Sequence, residues 1–230
     1  AVFGQLDVAL AFGACAVIVP TQSGVEWIAA DTERFGITVL GIVPSQLRGA
    51  FPDPRRKPSK LRVLISWAEK LPIPLAQEWQ GHVRLFELLL ASEYWLSLYS
   101  TGTICHDPHD NCDRLELKAL TGLDMLLLDA DGNPVGPGEV GEMALAGPTT
   151  FPGYVGQDGC IGDGAANEGI FFIRDGKRYY KTRDRLRCID GSRFVYCGRA
   201  DSLAKRGGAW LDLTAVETAI SQVPGVAAVA

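Results

Sequence analysis

Hydrophobic positions in the first half of the chain alternate between helical and strand spacing. Helical spacing marks three segments, Leu6–Phe12, Gly24–Phe35 and Pro74–Trp79. Apolar, β-rich runs mark four strands, Cys15–Pro20, Ile37–Val43, Arg62–Trp67 and Val83–Leu90. Ser45 is predicted to cap a further short helix. Because strands and helices alternate at this interval, we predict an α/β subdomain over residues 1–114 with a covered, mainly parallel sheet.

The pattern changes near residue 115, where short strands separated by turns replace the alternation. The predicted strands are Leu115–Leu120, Asp124–Asp129, Glu142–Leu145, Tyr179–Cys188 and Ser192–Cys197. Asp131-Gly132 and Asp190-Gly191 are hairpin signals. We therefore predict a small distorted β-barrel over residues 115–200. Residues 201–230 return to a mixed pattern, with Thr214 as the cap of a helix over residues 215–223, and form a third segment.

Composition excludes some classes of partner. The chain has 230 residues, 47% of them hydrophobic and 21% charged, with a net charge of −5. This balance gives no basic surface for nucleic acid or an anionic membrane. No apolar run reaches the ~18–20 residues of a membrane helix. Six widely spaced cysteines in a chain of this size favour a reduced, cytoplasmic protein. The chain opens within an apolar pattern and without Met, so we expect further residues upstream.

Two polar segments between the halves require interpretation. Cys105–Cys112 contains two thiols and two imidazoles, which are zinc ligands, but its spacing matches no standard zinc motif. Its Asp-Pro and Asp-Asn pairs favour an ordinary polar loop, so zinc is the weaker of the two interpretations. Tyr99–Thr103 reads YSTGT and is predicted to be a polar turn.

Three stretches in the second half carry a more specific pattern. Gly138–Met143 reads GEVGEM and is followed by Gly153-Tyr154. Tyr180–Asp184 reads YKTRD, and Gly198–Asp201 reads GRAD, with Lys205 four residues later. In their order and in the 15-residue interval from Asp184 to Arg199, these stretches resemble the core motifs of the adenylate-forming superfamily. That superfamily contains acyl-CoA synthetases, adenylation domains of nonribosomal peptide synthetases, and luciferases.

A fourth, partial match lies in the first half. Ser66–Pro72 reads SWAEKLP and is similar to the family's GGExLP segment. Val83–Glu93 follows, similar to xxLxNxYGxTE. In this alignment Leu89 stands where the family has the aromatic residue that stacks on adenine, and Leu90 stands where it has glycine. Arg183 likewise replaces the glycine of the family's Y(K/R)TGD motif.

The resemblance implies roles for individual residues. Asp184 and Arg199 would hold the ribose of ATP, since a carboxylate accepts two hydrogen bonds and a guanidinium donates. Ser92 would bind phosphate. Glu93 would be the catalytic carboxylate linked to Mg²⁺, an ion that prefers oxygen ligands. Asp201, followed by Lys205, would form the hinge of a C-terminal lid.

The implied fold is part of the adenylate-forming fold, in which the barrel is followed by the start of an α+β lid. The implied reaction joins a small carboxylic or amino acid to AMP, after which a carrier-protein phosphopantetheine thiol or CoA captures the acyl group. The family's phosphate loop would precede Ala1 and its lid lysine would follow Ala230. We therefore expect the chain to act with the remainder of an enzyme or a larger assembly, and to show no acid-dependent ATP–pyrophosphate exchange alone. The alternative is a degenerate, non-catalytic module, which Leu89, Leu90 and Arg183 favour.

Overall fold

The computed structural model describes residues 2–19, 24–107, 112–156, 161, 167–206, 209–213, 216, 219–220 and 223. The chain divides into two compact units. The first comprises Ala1–Leu90 and Tyr99–Asp113, and the second Ala91–Leu98 and Arg114–Ala230. No helix among the described residues is long and apolar enough to cross a membrane.

The first unit is an α/β layer, as the alternating pattern predicts. Its helices are α1 (Val2–Ala11), α2 (Glu26–Arg34), α3 (Pro44–Ala50) and α4 (Ile73–Gln80). Its strands are β1 (Val39–Gly41), β2 (Val63–Ser66) and β3 (Arg84–Ala91), which pair in parallel in that order, and the end of β4 (Trp95–Asp107). The core forms around Leu47, Leu64 and Trp79, each with no exposed surface.

Three local predictions for this unit are wrong. Residues 14–19 form no strand; Val17 and Ile18 are exposed there, and an apolar run becomes a strand only where a neighbour completes its hydrogen bonds. Ser45 does not cap α3, because its hydroxyl and amide both donate to Glu69. Tyr99–Thr103 is not a turn but the middle of β4, where Ser100 donates no turn bond and instead accepts from the amide of Glu87 at 2.8 Å.

The segment with the candidate zinc ligands is divided between two strands. Cys105–Asp107 ends β4, and Cys112 begins β5. Residues 108–111, including His109, lie outside the described part of the chain. Within that part, no group of three or more His, Cys, Asp or Glu side chains could hold a metal ion.

The second unit is a mainly antiparallel sheet. Its strands are β5 (Cys112–Ala119), β6 (Asp124–Leu128), β7 (Val140–Ala146), β8 (Phe171–Arg174), β9 (Lys177–Cys188) and β10 (Arg193–Arg199). They are ordered β5-β10-β9-β7-β6, and β8 also pairs with β9. Among the described residues β6 does not pair back onto β5, so the sheet stays open rather than forming the predicted barrel. Strand β9 shifts register against both β7 and β10, whereas closure into a barrel requires one consistent stagger around all the strands.

The GEVGEM segment has a clear structural reason for its glycines. Gly138 has a φ of 88° in the turn before β7, a conformation that glycine adopts without strain. Gly141 lies within β7, where an added Cβ would come within 2.8 Å of the backbone nitrogen of Leu128 on β6. The close pairing of β6 with β7 therefore requires glycine at this position.

Beyond β10 the chain leaves the large sheet. Ala200–Ser202 form one 3₁₀ turn, and β11 (Leu203–Arg206) then pairs with β12 (Ala209–Asp212) in a separate two-stranded sheet. The helix predicted over residues 215–223 lies mostly outside the described residues.

Candidate functional site

The two ends of the β9–β10 hairpin lie side by side, as the Asp190-Gly191 turn predicts. Asp184 on β9 is the direct partner of Arg199 on β10. The Arg199 Nη1 lies 3.7 Å from the Asp184 Oδ1. Two side chains of opposite charge thus lie on neighbouring strands at one end of the hairpin.

Strand β9 is irregular where it presents Asp184. Its register with β7 shifts between Glu142 and Ala144, and its register with β10 shifts between Tyr196 and Arg199. Arg183 lies within the first of these shifts, between Lys181 and Arg185, with a φ of 65°, and its amide donates to the Glu142 Oε1 at 3.0 Å. Bulges of this kind bend a strand and redirect its side chains. The left-handed backbone explains why the family's motif has glycine here, and Arg183 adopts the same conformation.

Asp184 is buried, and each of its carboxylate oxygens accepts a hydrogen bond from one tyrosine while keeping a second acceptor site. It is 4% exposed, and its Oδ2 accepts from the Tyr94 hydroxyl at 2.9 Å. Its Oδ1 accepts from the Tyr196 hydroxyl at 3.1 Å. Its amide donates to the Thr182 hydroxyl at 3.1 Å, and that hydroxyl donates to the Met143 carbonyl. The carboxylate is therefore held in one orientation by two strands and a turn.

Electrostatics at Asp184 reflect a balance of burial against donors. Burial raises the pKa of Asp184, while the hydrogen bonds from Tyr94 and Tyr196 and the positive charge of Arg199 oppose that rise. The pKa of Tyr94 and that of Tyr196 are both raised, first by burial and then by the negative charge of Asp184. Both phenols accordingly stay protonated and act as donors.

Glu93 and Asp184 line one pocket. A cavity of about 190 Å³ is lined by Ala91, Glu93, Tyr94, Tyr154, Ile170, Tyr180, Thr182, Arg183, Asp184 and Arg199. Glu93 is partly buried in the turn after β3, and its Oε1 accepts from the Tyr154 hydroxyl at 2.7 Å. Ser92 is exposed in the same turn and does not line the cavity. The structure thus brings Glu93, Asp184 and Arg199 together and leaves Ser92 at the surface.

The hinge candidates lie at the end of β10. Asp201 is exposed in the 3₁₀ turn, where its two oxygens accept from Nε and Nη2 of Arg199, both at 2.8 Å. These bonds lower the pKa of Asp201. Lys205 lies on β11 with its backbone opposite Trp210, and its side chain is outside what the structure describes. A buried position in the middle of a strand would be incompatible with a hinge. Asp201 is exposed and lies in a 3₁₀ turn, so its position is compatible with that role.

Tyr94, Tyr154 and Tyr196 are functional candidates that the sequence analysis missed. Tyr154 was noted only as part of Gly153-Tyr154, and Tyr196 only as a strand residue. The hydroxyls of Tyr94 and Tyr154 meet carboxylates that are 90 and 61 residues away in sequence, whereas Tyr196 meets Asp184 across the hairpin, 12 residues away. The contacts of Tyr94 and Tyr154 are therefore the ones that local spacing does not reveal.

The donor set suits Mg²⁺ and a nucleotide. Mg²⁺ is generally held by one or two carboxylates together with substrate phosphates and water, rather than by a cluster of protein ligands. The Glu93 carboxylate, which lines the cavity, matches that usage. A buried carboxylate opposite a guanidinium matches a vicinal diol.

Comparisons with known proteins show which family the chain is similar to. A profile described as AMP-binding enzyme matches residues 2–155. The chain is 30% identical over 169 residues to novobiocin biosynthesis protein H of Streptomyces niveus, covering 73% of this chain and 27% of that protein. It is 28% identical over 224 residues to a salicyl-AMP ligase / salicyl-S-ArCP synthetase of Mycobacterium tuberculosis, covering 95% of this chain and 37% of that protein. It thus spans only about a third of these relatives.

The fold matches a solved enzyme of the same kind. O-succinylbenzoate coenzyme A synthetase of Bacillus subtilis, in complex with ATP and magnesium ion, superimposes with a TM-score of 0.77 at 20% identity, over 98% of this chain and 45% of that one. At this identity the likeness establishes the fold alone, while the profile covers well over half of the sequence. The chain therefore belongs to the AMP-binding enzyme family, that of the adenylate-forming enzymes.

Proposed function

We propose that this chain is the nucleotide-holding part of an ATP-dependent ligase that activates a small carboxylic or amino acid as its acyl-adenylate. The observation that carries the proposal is the pocket wall shared by Glu93, Asp184 and Arg199. Such an assembly of one buried carboxylate, one guanidinium and one metal-type carboxylate supports nucleotide binding more than a purely structural role. The non-catalytic alternative does not require these three groups to line one cavity.

In this proposal the residues divide the nucleotide between them. Asp184 accepts from the ribose hydroxyls, and Arg199 donates to the same sugar. Glu93 holds Mg²⁺, which neutralises charge on the phosphates. Ser92, exposed beside Glu93, donates to a phosphate oxygen.

The reaction requires mostly position and charge neutralisation. The oxygen of the acid attacks the α-phosphorus of ATP, the bond from that phosphorus to the bridging oxygen breaks, and pyrophosphate leaves with the electron pair. Phosphorus-centred displacement depends chiefly on aligned groups and neutralised charge. What this chain contributes is a fixed ribose, because the two tyrosine hydroxyls orient Asp184.

The second half-reaction requires a thiol and a moving hinge. A carrier-protein phosphopantetheine or CoA thiol attacks the acyl carbon and AMP leaves. The names of the Mycobacterium and Bacillus proteins support this class of acceptor. We place the hinge at Asp201, with Lys205 in the following strand, since the 3₁₀ turn there separates the large sheet from the β11–β12 pair. Hinges absorb backbone rotation at such element ends.

Cysteines spread along the chain support a cytoplasmic location.

Isothermal calorimetry on the full 230-residue chain tests this function. We expect saturable binding of Mg-ATP and of AMP with one site per chain, and no binding of ribose-free pyrophosphate of comparable strength. The absence of heat from both nucleotides at millimolar concentration would contradict the proposal.

A further inference from the structure

The turn that carries Glu93 is tied to a distant segment by two hydrogen bonds. The amide of Phe151 donates to the Glu93 carbonyl at 2.7 Å. The hydroxyl of Tyr154 donates to the Glu93 Oε1 at 2.7 Å. One bond fixes the backbone of the turn and the other fixes the carboxylate, so the segment Phe151–Tyr154 determines where this carboxylate points.

Tyr154 is itself clamped by a single side chain. Its amide donates to the Asn167 Oδ1 at 2.7 Å, and the Asn167 Nδ2 donates to the Tyr154 carbonyl at 2.9 Å. An asparagine that uses both ends of its amide on one residue fixes that residue's backbone. The close approach depends on Gly153, where a Cβ would come within 2.9 Å of the Asn167 Oδ1 and where φ is 140°.

Aromatic packing fixes the direction of the phenol. The Tyr154 ring meets Phe151 edge to face, with centroids 4.9 Å apart. Phe151 in turn meets the buried Tyr180 at 5.0 Å, also edge to face.

We propose that Tyr154, held by Asn167, is a positioning residue that orients the Glu93 carboxylate for a divalent cation bound with nucleotide phosphate. The inference rests on the proposed function for the cation, and on the contacts above for the positioning. A tyrosine bonded to one carboxylate oxygen sets the side-chain torsion, and this gives the second oxygen, Oε2, one direction. Partners that orient a metal ligand commonly change metal affinity about 10- to 100-fold when they are removed.

The test measures ATP binding to the full chain with Mg²⁺ and, separately, with a chelator. The ratio of the two dissociation constants is the enhancement that the cation provides. Tyr154→Phe keeps the ring and removes the hydroxyl, and we expect it to reduce the enhancement about tenfold while AMP binding in chelator stays unchanged. Asn167→Ala should cause a loss in the same direction. Tyr179→Phe is the matched control, since Tyr179 stacks on Phe172 and does not line the pocket.

A second readout tests the contact without any nucleotide. Tyr154→Phe, Glu93→Ala and the double variant are compared by urea unfolding. If the hydroxyl and the carboxylate interact, the sum of the two single-variant shifts in urea midpoint is larger than the shift of the double variant.

The outcomes separate this inference from the proposed function. Additive midpoints, or an unchanged Mg²⁺ enhancement in Tyr154→Phe, would overturn the positioning role. Failure of the unsubstituted chain to bind ATP or AMP would instead overturn the proposed function, whatever the unfolding cycle gives.

Discussion

Arg199 lies directly opposite Asp184 on the neighbouring strand, yet its guanidinium binds Asp201. Two bonds of 2.8 Å join Arg199 to Asp201, whereas its nearest approach to Asp184 is 3.7 Å. Asp184 meanwhile accepts from two tyrosine hydroxyls. The arginine that we propose for the ribose and the aspartate that we propose for the hinge therefore form one ion pair. In that proposal, a nucleotide bound to Arg199 competes with Asp201 for the guanidinium.

Removal of that competitor should strengthen nucleotide binding. In Asp201→Ala the guanidinium of Arg199 is released, so we expect AMP to bind about two- to fivefold more tightly, in line with the ~0.2–1 kcal/mol of an exposed ion pair. Calorimetric titration with AMP measures this. Asp124→Ala, which breaks an exposed pair with Lys177, is the control and should leave the affinity unchanged. Weaker binding in Asp201→Ala would mean that Asp201 helps to hold Arg199 in its binding position.

Arg183 occupies a backbone conformation that suits glycine. Its φ of 65° brings Cβ close to backbone atoms, which disfavours a non-glycine residue by about 1–2 kcal/mol, partly offset by the greater unfolded-state freedom of glycine. We expect the Arg183→Gly variant to be more stable than the Arg183→Ala variant, with an unfolding free energy that is larger by about 0.5–1 kcal/mol. Both variants lose the 3.6 Å pair with Asp201 equally, so chemical denaturation of the two isolates the backbone effect. Equal stabilities would show that this turn relaxes without strain.

Glu87 should make the stability of the chain depend on pH. Burial raises the pKa of Glu87 from 4.5 to about 7, against the opposing bond from the Leu71 amide. Because the pKa of Glu87 is higher in the folded than in the unfolded chain, its protonation stabilises the folded chain. This contribution is complete below pH 4.5 and is lost as pH rises through 7. As pH rises from 4.5 to 8, the unfolding free energy of Glu87→Gln should therefore increase relative to that of the unsubstituted chain, by up to about 3 kcal/mol.

The control for Glu87 is Glu78→Gln, an exposed glutamate on α4. A difference between Glu87→Gln and the unsubstituted chain that stays constant from pH 4.5 to 8 would contradict the buried-carboxyl account.

Periodicity predicted the elements whose environment is local. The parallel strands β1 to β3, the helices between them, and the β9–β10 hairpin follow from spacing and turn residues, because burial on one face leaves a repeat in the sequence. Residues 14–19 have the composition of a strand but lack a neighbour, which no local pattern encodes. Tyr99–Thr103 has the composition of a turn, yet it lies within β4 because adjacent strands supply its hydrogen bonds.

Some residues of the candidate site could be predicted from the sequence and others could not. Asp184 and Arg199 were identified through the resemblance of their segments to the family's motifs, and the β9–β10 hairpin brings the two residues opposite each other. Tyr94 and Tyr154 were not, because each reaches its carboxylate across a tertiary contact. The barrel prediction was wrong because strand number and turn residues do not determine whether the edge strands meet.

The central claim is that Asp184 recognises the ribose of an adenine nucleotide. The most direct measurement compares, by calorimetry, Mg-ATP with its analogue lacking both ribose hydroxyls, in the unsubstituted chain and in Asp184→Ala. We predict that Asp184→Ala weakens ATP binding by about 1.5–3 kcal/mol, the contribution of charge-assisted hydrogen bonds, and leaves binding of the analogue nearly unchanged. Asp184→Asn, a closer isostere, checks that the pocket stays folded. Equal affinity for ATP in the unsubstituted chain and in both variants would contradict the account.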